Sequence, residues 1–207
     1  YFLIIQINDY VVAQGKYEEI QTIYHQRDRS LEDINEDYIG WLSIENTDID
    51  YPVVLGPDNQ YYLNHNFYQE EDFVGTIFMD YRNTVNPMNQ HSIIYGHNMK
   101  DKSMFGSLSD IIEDPTFEDY QITFEVDDSI YVWEIFSVYV STETNWMKKD
   151  FDTPEAYNWF LEHIKESSIH SSNGEIEETD RIITLATCTD SNSDKRVIVH
   201  AKLVEEI

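Results

Sequence analysis

The 207-residue sequence predicts a mainly β fold with helices, a barrel or sandwich of about eight strands. Three observations carry this reading. Short β-like runs separated by turn residues recur from Gly40 to the C-terminus. Helical periodicity is confined to the first forty residues and two later stretches. The composition is globular, 41% hydrophobic and 14% aromatic, and its 7 glycines and 5 prolines form no linker. A single domain is therefore expected over 1–207, with an N-terminal helical arm over 1–40 and a β core over 41–207.

The arm reads as helical because Ala13, Tyr17, Ile20 and Tyr24 recur at helical spacing between charges. Its apolar start, Tyr1 to Ile7, suits the trimmed end of an anchor or signal segment, or the first turn of a packed helix. Ser30 is placed to cap a second short helix from Leu31 to Glu36. The strand candidates follow. They are Trp41 to Ile44, Tyr51 to Val54, Gly75 to Met79 and Ser92 to Tyr95. Pro52 marks the second as an edge or a strand start. Gln121 to Val126 and Ser129 to Val140 flank a tight turn at Asp127-Asp128, and Arg181 to Cys188 and Arg196 to Val204 close the series. Two helices interrupt them. Ser103 is read as the cap of one running through Met104, Phe105, Leu108, Ile111 and Ile112. Thr153-Pro154 opens a stronger one, a capping threonine before proline at the first helical position, with Ala156, Tyr157, Phe160, Leu161 and Ile164 on one face.

Charge excludes some functions. Thirteen Lys and Arg stand against 40 Asp and Glu, a net −27. Such a field repels phosphate, so nucleic acid and anionic membrane surfaces are poor partners. No apolar run approaches the ~20 residues that cross a bilayer. One cysteine allows neither an intrachain disulfide nor a Cys-x-x-Cys site. No loop has EF-hand spacing, and no metal or other cofactor is assigned.

That cysteine, Cys188, ends the β run Thr184-Leu185-Ala186-Thr187-Cys188 and precedes the polar loop Thr189 to Asp194. A strand end beside a polar loop can present a thiol on a rigid support. A thiolate nucleophile needs an imidazole or cationic neighbour. Among 7 histidines, His97 stands out, just beyond the run ending at Tyr95 and after Gly96. His25 and His163 fall on helices as surface residues, His65 lies in a loop, His91 and His170 are flanked by polar residues, and His200 reads as a structural residue within the last strand. Arg196 opens that last strand, which a strand-loop-strand hairpin brings back beside Cys188 as an oxyanion donor. Tyr95, on the strand face of His97, and Thr187, next to the nucleophile, are candidate substrate contacts. A phosphatase loop does not fit, because the arginine follows the cysteine by eight positions and Asp194 stands at the sixth.

These segments together resemble the sortases, cysteine transpeptidases of Gram-positive cell surfaces. Thr184 to Cys188 is similar to their TLxTC signature, Tyr95-Gly96-His97 to their histidine segment, and Arg196 to Val199 to the start of their last strand. Asp50 to Val54, Tyr61 to His65, Gly75 to Asp80 and His97 to Lys100 resemble class B in particular. The resemblance implies an eight-stranded β-barrel with a helical arm and a helix inserted before the cysteine strand. It implies a catalytic trio of Cys188, His97 and Arg196. It also implies cleavage of a C-terminal sorting signal of secreted proteins through a thioester acyl-enzyme, without a cofactor. The acyl group then passes to an amine of a peptidoglycan precursor or a pilin. The implied location is the outer face of the cytoplasmic membrane, held by an N-terminal anchor that this chain does not show. Two rival readings remain, a hydrolytic cysteine peptidase using the same residues and a non-enzymatic acidic surface-binding module.

Overall fold

The computed structural model describes residues 2–85, 88–172, 174–188 and 194–207. Its centre is a closed barrel of eight strands. They are β1 (Tyr38–Ile44), β2 (Asp50–Val54), β3 (Ile77–Met79), β4 (His91–Tyr95), β5 (Gln121–Val126), β6 (Ser129–Ser141), β7 (Ile182–Cys188) and β8 (Arg196–Glu206). The order around the barrel is β1-β2-β3-β4-β7-β8-β6-β5, and β5 closes it on β1. Two pairs, β2 with β3 and β4 with β7, are parallel; the others are antiparallel. Closure leaves no free edge for Pro52 to occupy. The proline is tolerated because β3 pairs only with Val53 and Val54, beyond it.

The period of two along β4, β7 and β8 sorts their side chains between two environments. Ile94, Ile183, Leu185, Val197, Val199 and Ala201 enter the main core. On the outer face, Ile93, Ala186 and Ile198 join Tyr139 and Trp146 in a separate cluster. Ile182 and Phe136 pack against Tyr157, Phe160, Leu161 and Ile164 of a helix. That helix, α3 (Pro154–Glu166), belongs to the connection between β6 and β7. Thr153 caps it by accepting the Ala156 N–H, as its sequence predicts.

The arm is one long helix, α1 (Phe2–Gln26). Its buried stripe is Ala13, Tyr17, Ile20 and Ile23. Tyr24, beside that stripe, stacks on Trp41 with centroids 3.8 Å apart. The second arm helix does not form. Residues 31–36 make turns, with Ile34 and Asn35 N–H groups both donating to the Leu31 carbonyl. Asn35 is drawn into the core instead, donating to Tyr62 and to the Phe67 carbonyl. The helix read from Ser103 is also shorter, α2 (Leu108–Glu113). Met104 adopts a left-handed φ of 51° and Ser103 Oγ bonds Asp101, so the chain cannot turn helical until Phe105 and Gly106 have passed.

Candidate active site

Three strand ends converge on one rim of the barrel. In the parallel pair β4–β7, Tyr95 stands opposite Ala186. The Gly96 N–H extends that ladder to the Ala186 carbonyl at 3.3 Å. His97 and Cys188 each follow this pair by two residues, so one register carries both to the same end. β8 returns antiparallel, and its first residue, Arg196, lies directly opposite Cys188. Of the polar loop read after Cys188, residues 189–193 lie outside the described residues.

His97 is half-buried, and its Nε2 lies 2.7 Å from the Leu63 carbonyl. A carbonyl only accepts, so Nε2 carries the hydrogen and Nδ1 is left to exchange a proton. Leu63 ends a 3-10 turn (Tyr61–Leu63) whose neighbour His65 stacks on Tyr61 at 4.0 Å. The ring seat of His97 depends on two glycines. A Cβ on Gly75, at φ +63°, would stand 2.6 Å from the Tyr62 carbonyl and 3.1 Å from His97 Cδ2. A Cβ on Gly96 would stand 2.8 Å from the Phe105 ring. Tyr17 of α1 donates to the Gly75 carbonyl, so the arm braces the segment against which His97 rests.

Tyr95 is half-buried: its ring packs with Phe78, while its hydroxyl donates to Asp80 Oδ2 at 3.0 Å. Asp80 is fully buried and also accepts from Arg82, at 2.8 Å and 2.7 Å, and from Asn59 at 3.0 Å. Burial alone would raise this carboxyl; the bonds from Arg82, Asn59 and Tyr95 outweigh it and hold the pKa below the ordinary value. Burial first, and then the Asp80 charge, raise the Tyr95 phenol, while the positive charges of Arg82 and Arg196 oppose them. Thr187 is 2% exposed and alternates with Ala186, on the face that sends Ile183 and Leu185 to the core. Its side chain therefore lies away from the outer face.

Sequence reasoning missed the carbonyl that holds His97 and the carboxylate that holds Tyr95. A backbone acceptor leaves no mark in a residue pattern. Asp80 stands in a segment the pattern singled out, yet two of its partners, Asn59 and Tyr95, come from elsewhere in the chain.

The whole chain compares closely with known proteins. A sortase domain family model matches residues 42–204. Sortase B of Listeria monocytogenes is 40% identical over 181 residues, covering 85% of this chain and 73% of that protein. Sortase B of Staphylococcus aureus is 35% identical over 206 residues, 95% of this chain and 84% of that protein. Among solved structures, Bacillus anthracis sortase B in complex with AAEK1 superposes with a TM-score of 0.89 at 36% identity, covering 96% of this chain and 99% of that one. The Staphylococcus aureus sortase B–substrate complex gives 0.84 at 34% identity, covering 93% and 96%. With a family model over most of its length and relatives of one class at this identity, the chain belongs to the sortase family as a class B transpeptidase.

Proposed function

We propose that Cys188, His97 and Arg196 carry out a two-step acyl transfer on a C-terminal sorting signal. The Cys188 sulfur attacks the carbonyl carbon that follows the threonine of the signal, and its proton passes to Nδ1 of His97. The oxyanion of the tetrahedral intermediate lies against the Arg196 guanidinium, which stays charged and offers a rigid fork of donors. As the intermediate collapses, the C–N bond breaks, His97 returns the proton to the departing amine, and a thioester remains on Cys188. An incoming amine, deprotonated by His97, attacks that thioester, and the thiol leaves with the proton. Both half-reactions exchange one acyl bond for another, so neither needs an oxidant or an energy source.

The register supports this reading above all: Arg196 opposite Cys188, and His97 carried to the same rim by the parallel pair. The similar Staphylococcus aureus sortase B, solved as a substrate complex, supports a sorting signal as the ligand. Tyr95 lines the peptide cleft with its ring, and Thr187 contributes through its backbone. The acceptor is an amine of a peptidoglycan precursor or of a pilin, and the site of action is the outer cell surface. No helix among the described residues is long and apolar enough to cross a membrane.

Intact-protein mass spectrometry tests the proposal. The chain is mixed with a panel of sorting-signal peptides, with and without an amine acceptor, beside Cys188→Ala. An acyl adduct that needs Cys188 and transfers to the amine is expected. Product formation by Cys188→Ala would overturn the mechanism. Cleavage without transfer to any amine would favour a hydrolytic peptidase.

A further inference from the structure

The connection from β6 to α3 passes over the outer face of the barrel, and two side chains grip its backbone. Arg82 Nη2 donates to the Met147 carbonyl at 3.2 Å. His91 Nδ1 donates to the next carbonyl, that of Lys148, at 2.6 Å. Each grip is itself held. Asp80 pins the Arg82 guanidinium with two hydrogen bonds. His91 is pinned by a buried chain whose direction follows from its ends. The Lys148 carbonyl only accepts, so Nδ1 of His91 carries the hydrogen and Nε2 accepts from Thr184 Oγ1 at 2.6 Å. Thr184 then accepts from His200 Nδ1 at 2.7 Å, and His200 Nε2 accepts from the Tyr139 hydroxyl at 2.9 Å. Both imidazoles are neutral in this arrangement, and each donor in it has its acceptor.

Between β6 and the gripped carbonyls sits Trp146, 1% exposed, packed among Ile93, Tyr139, Ala186 and Ile198. These neighbours bear directly on the site. Ala186 precedes Cys188 by two residues, Ile198 follows Arg196 by two, and Tyr95, which precedes His97 by two, places its ring 6.4 Å from Trp146. The strand positions adjoining the catalytic trio thus meet in one packed cluster under this connection. Burial of Trp146 alone would anchor it. Grips on two consecutive carbonyls add something burial does not supply: a fixed height and direction of the backbone, independent of the segment's own side chains.

We propose that Arg82 and His91 are positioning residues for the sorting-signal cleft. By holding the Met147 and Lys148 carbonyls, they fix residues 145–148 as a rigid wall beside Cys188, His97 and Arg196. This rests on the transpeptidase reading above. A peptide bound against a fixed wall loses less free energy to ordering, so loosening the wall raises KM before it touches the chemistry.

The test uses Arg82→Lys and His91→Gln, with sorting-signal peptide kinetics, the rate of Cys188 with a small methanethiosulfonate reagent, and limited proteolysis of residues 142–153. Arg82→Lys keeps a cation beside Asp80 but cannot span Asp80 and Met147 with one planar fork. The expected result is a KM raised about tenfold with kcat within about threefold. The thiol rate is unchanged and proteolysis of the segment is faster. KM within about twofold of the parent in a folded variant overturns the proposal, as does a parallel fall of kcat and thiol rate at constant KM. If His91→Gln does not fold, Arg82→Lys decides alone. Should the parent acylate with no peptide, the transpeptidase reading fails, and equal proteolysis rates of parent and variant still overturn the wall.

Discussion

At the scale of single residues, the site is made by backbone constraint as much as by side-chain chemistry. Arg196 is fixed at the first position of its strand, opposite Cys188. Arg196→Ala is expected to lower kcat for peptide acylation by roughly 10²–10³, the usual cost of an oxyanion donor. Arg196→Lys should recover part of that loss in the same assay. Gly75 offers a sharper test. Its φ of +63° and the approach of two carbonyls and the His97 ring leave no room for a Cβ. Gly75→Ala should destabilise the fold by about 1–3 kcal/mol and slow acylation together, because relief of the clash moves the ring of His97. Thermal unfolding and single-turnover acylation measured side by side check this. An unchanged acylation rate would show that the ring does not depend on Gly75.

At the scale of elements, what could be read from the residues divides by how local its cause is. The α3 helix carries its own instructions: a threonine cap, a proline at the first helical position and one apolar face. Thr153→Ala is expected to cost about 1 kcal/mol, read as a lowered Tm with peptide kinetics nearly intact. The strands were legible for the same reason, since alternation and turn residues are short-range signals. The helix read from Ser30 does not form, and the one read from Ser103 starts only at Leu108, where distant partners take precedence. Asn35 is claimed by Tyr62 and Phe67, and the left-handed Met104 donates its N–H to the Tyr51 hydroxyl. The proposed trio of Cys188, His97 and Arg196 could be picked out because its three motifs are local strings, each at or just beyond a strand end. The Arg82 grip on the Met147 carbonyl and the His91–Thr184–His200 chain were not, because each joins residues whose proximity only the fold creates. The arm adds one more element-level expectation. Tyr17→Phe removes the donor to the Gly75 carbonyl, and acylation should fall while α1 stays helical by circular dichroism.

At the scale of the whole molecule, two buried imidazoles set a limit on acid tolerance. Burial lowers the His91 pKa from 6.5 to about 4, and lowers that of His200 as well. The unfolded chain therefore binds more protons than the folded one between about pH 6.5 and pH 4. Stability is fully present above that window and is lost as pH falls through it, by about 3 kcal/mol for His91 alone. Tm should be flat above pH 7 and decline steadily to pH 4.5; a flat profile would contradict the neutral chain. The barrel order has a consequence for when the enzyme comes into being. β8 is the last strand in sequence, yet it lies between β7 and β6, so the cylinder stays open until it docks. His97 and Cys188 reach one rim only through the pairing of strands far apart along the chain, and Arg196 arrives with the strand that closes the barrel. Long-range pairings of this kind form late and together. A growing or partly folded chain that lacks β8 therefore carries Cys188 without Arg196 opposite it, and the proposed trio is assembled in the same cooperative step that completes the fold.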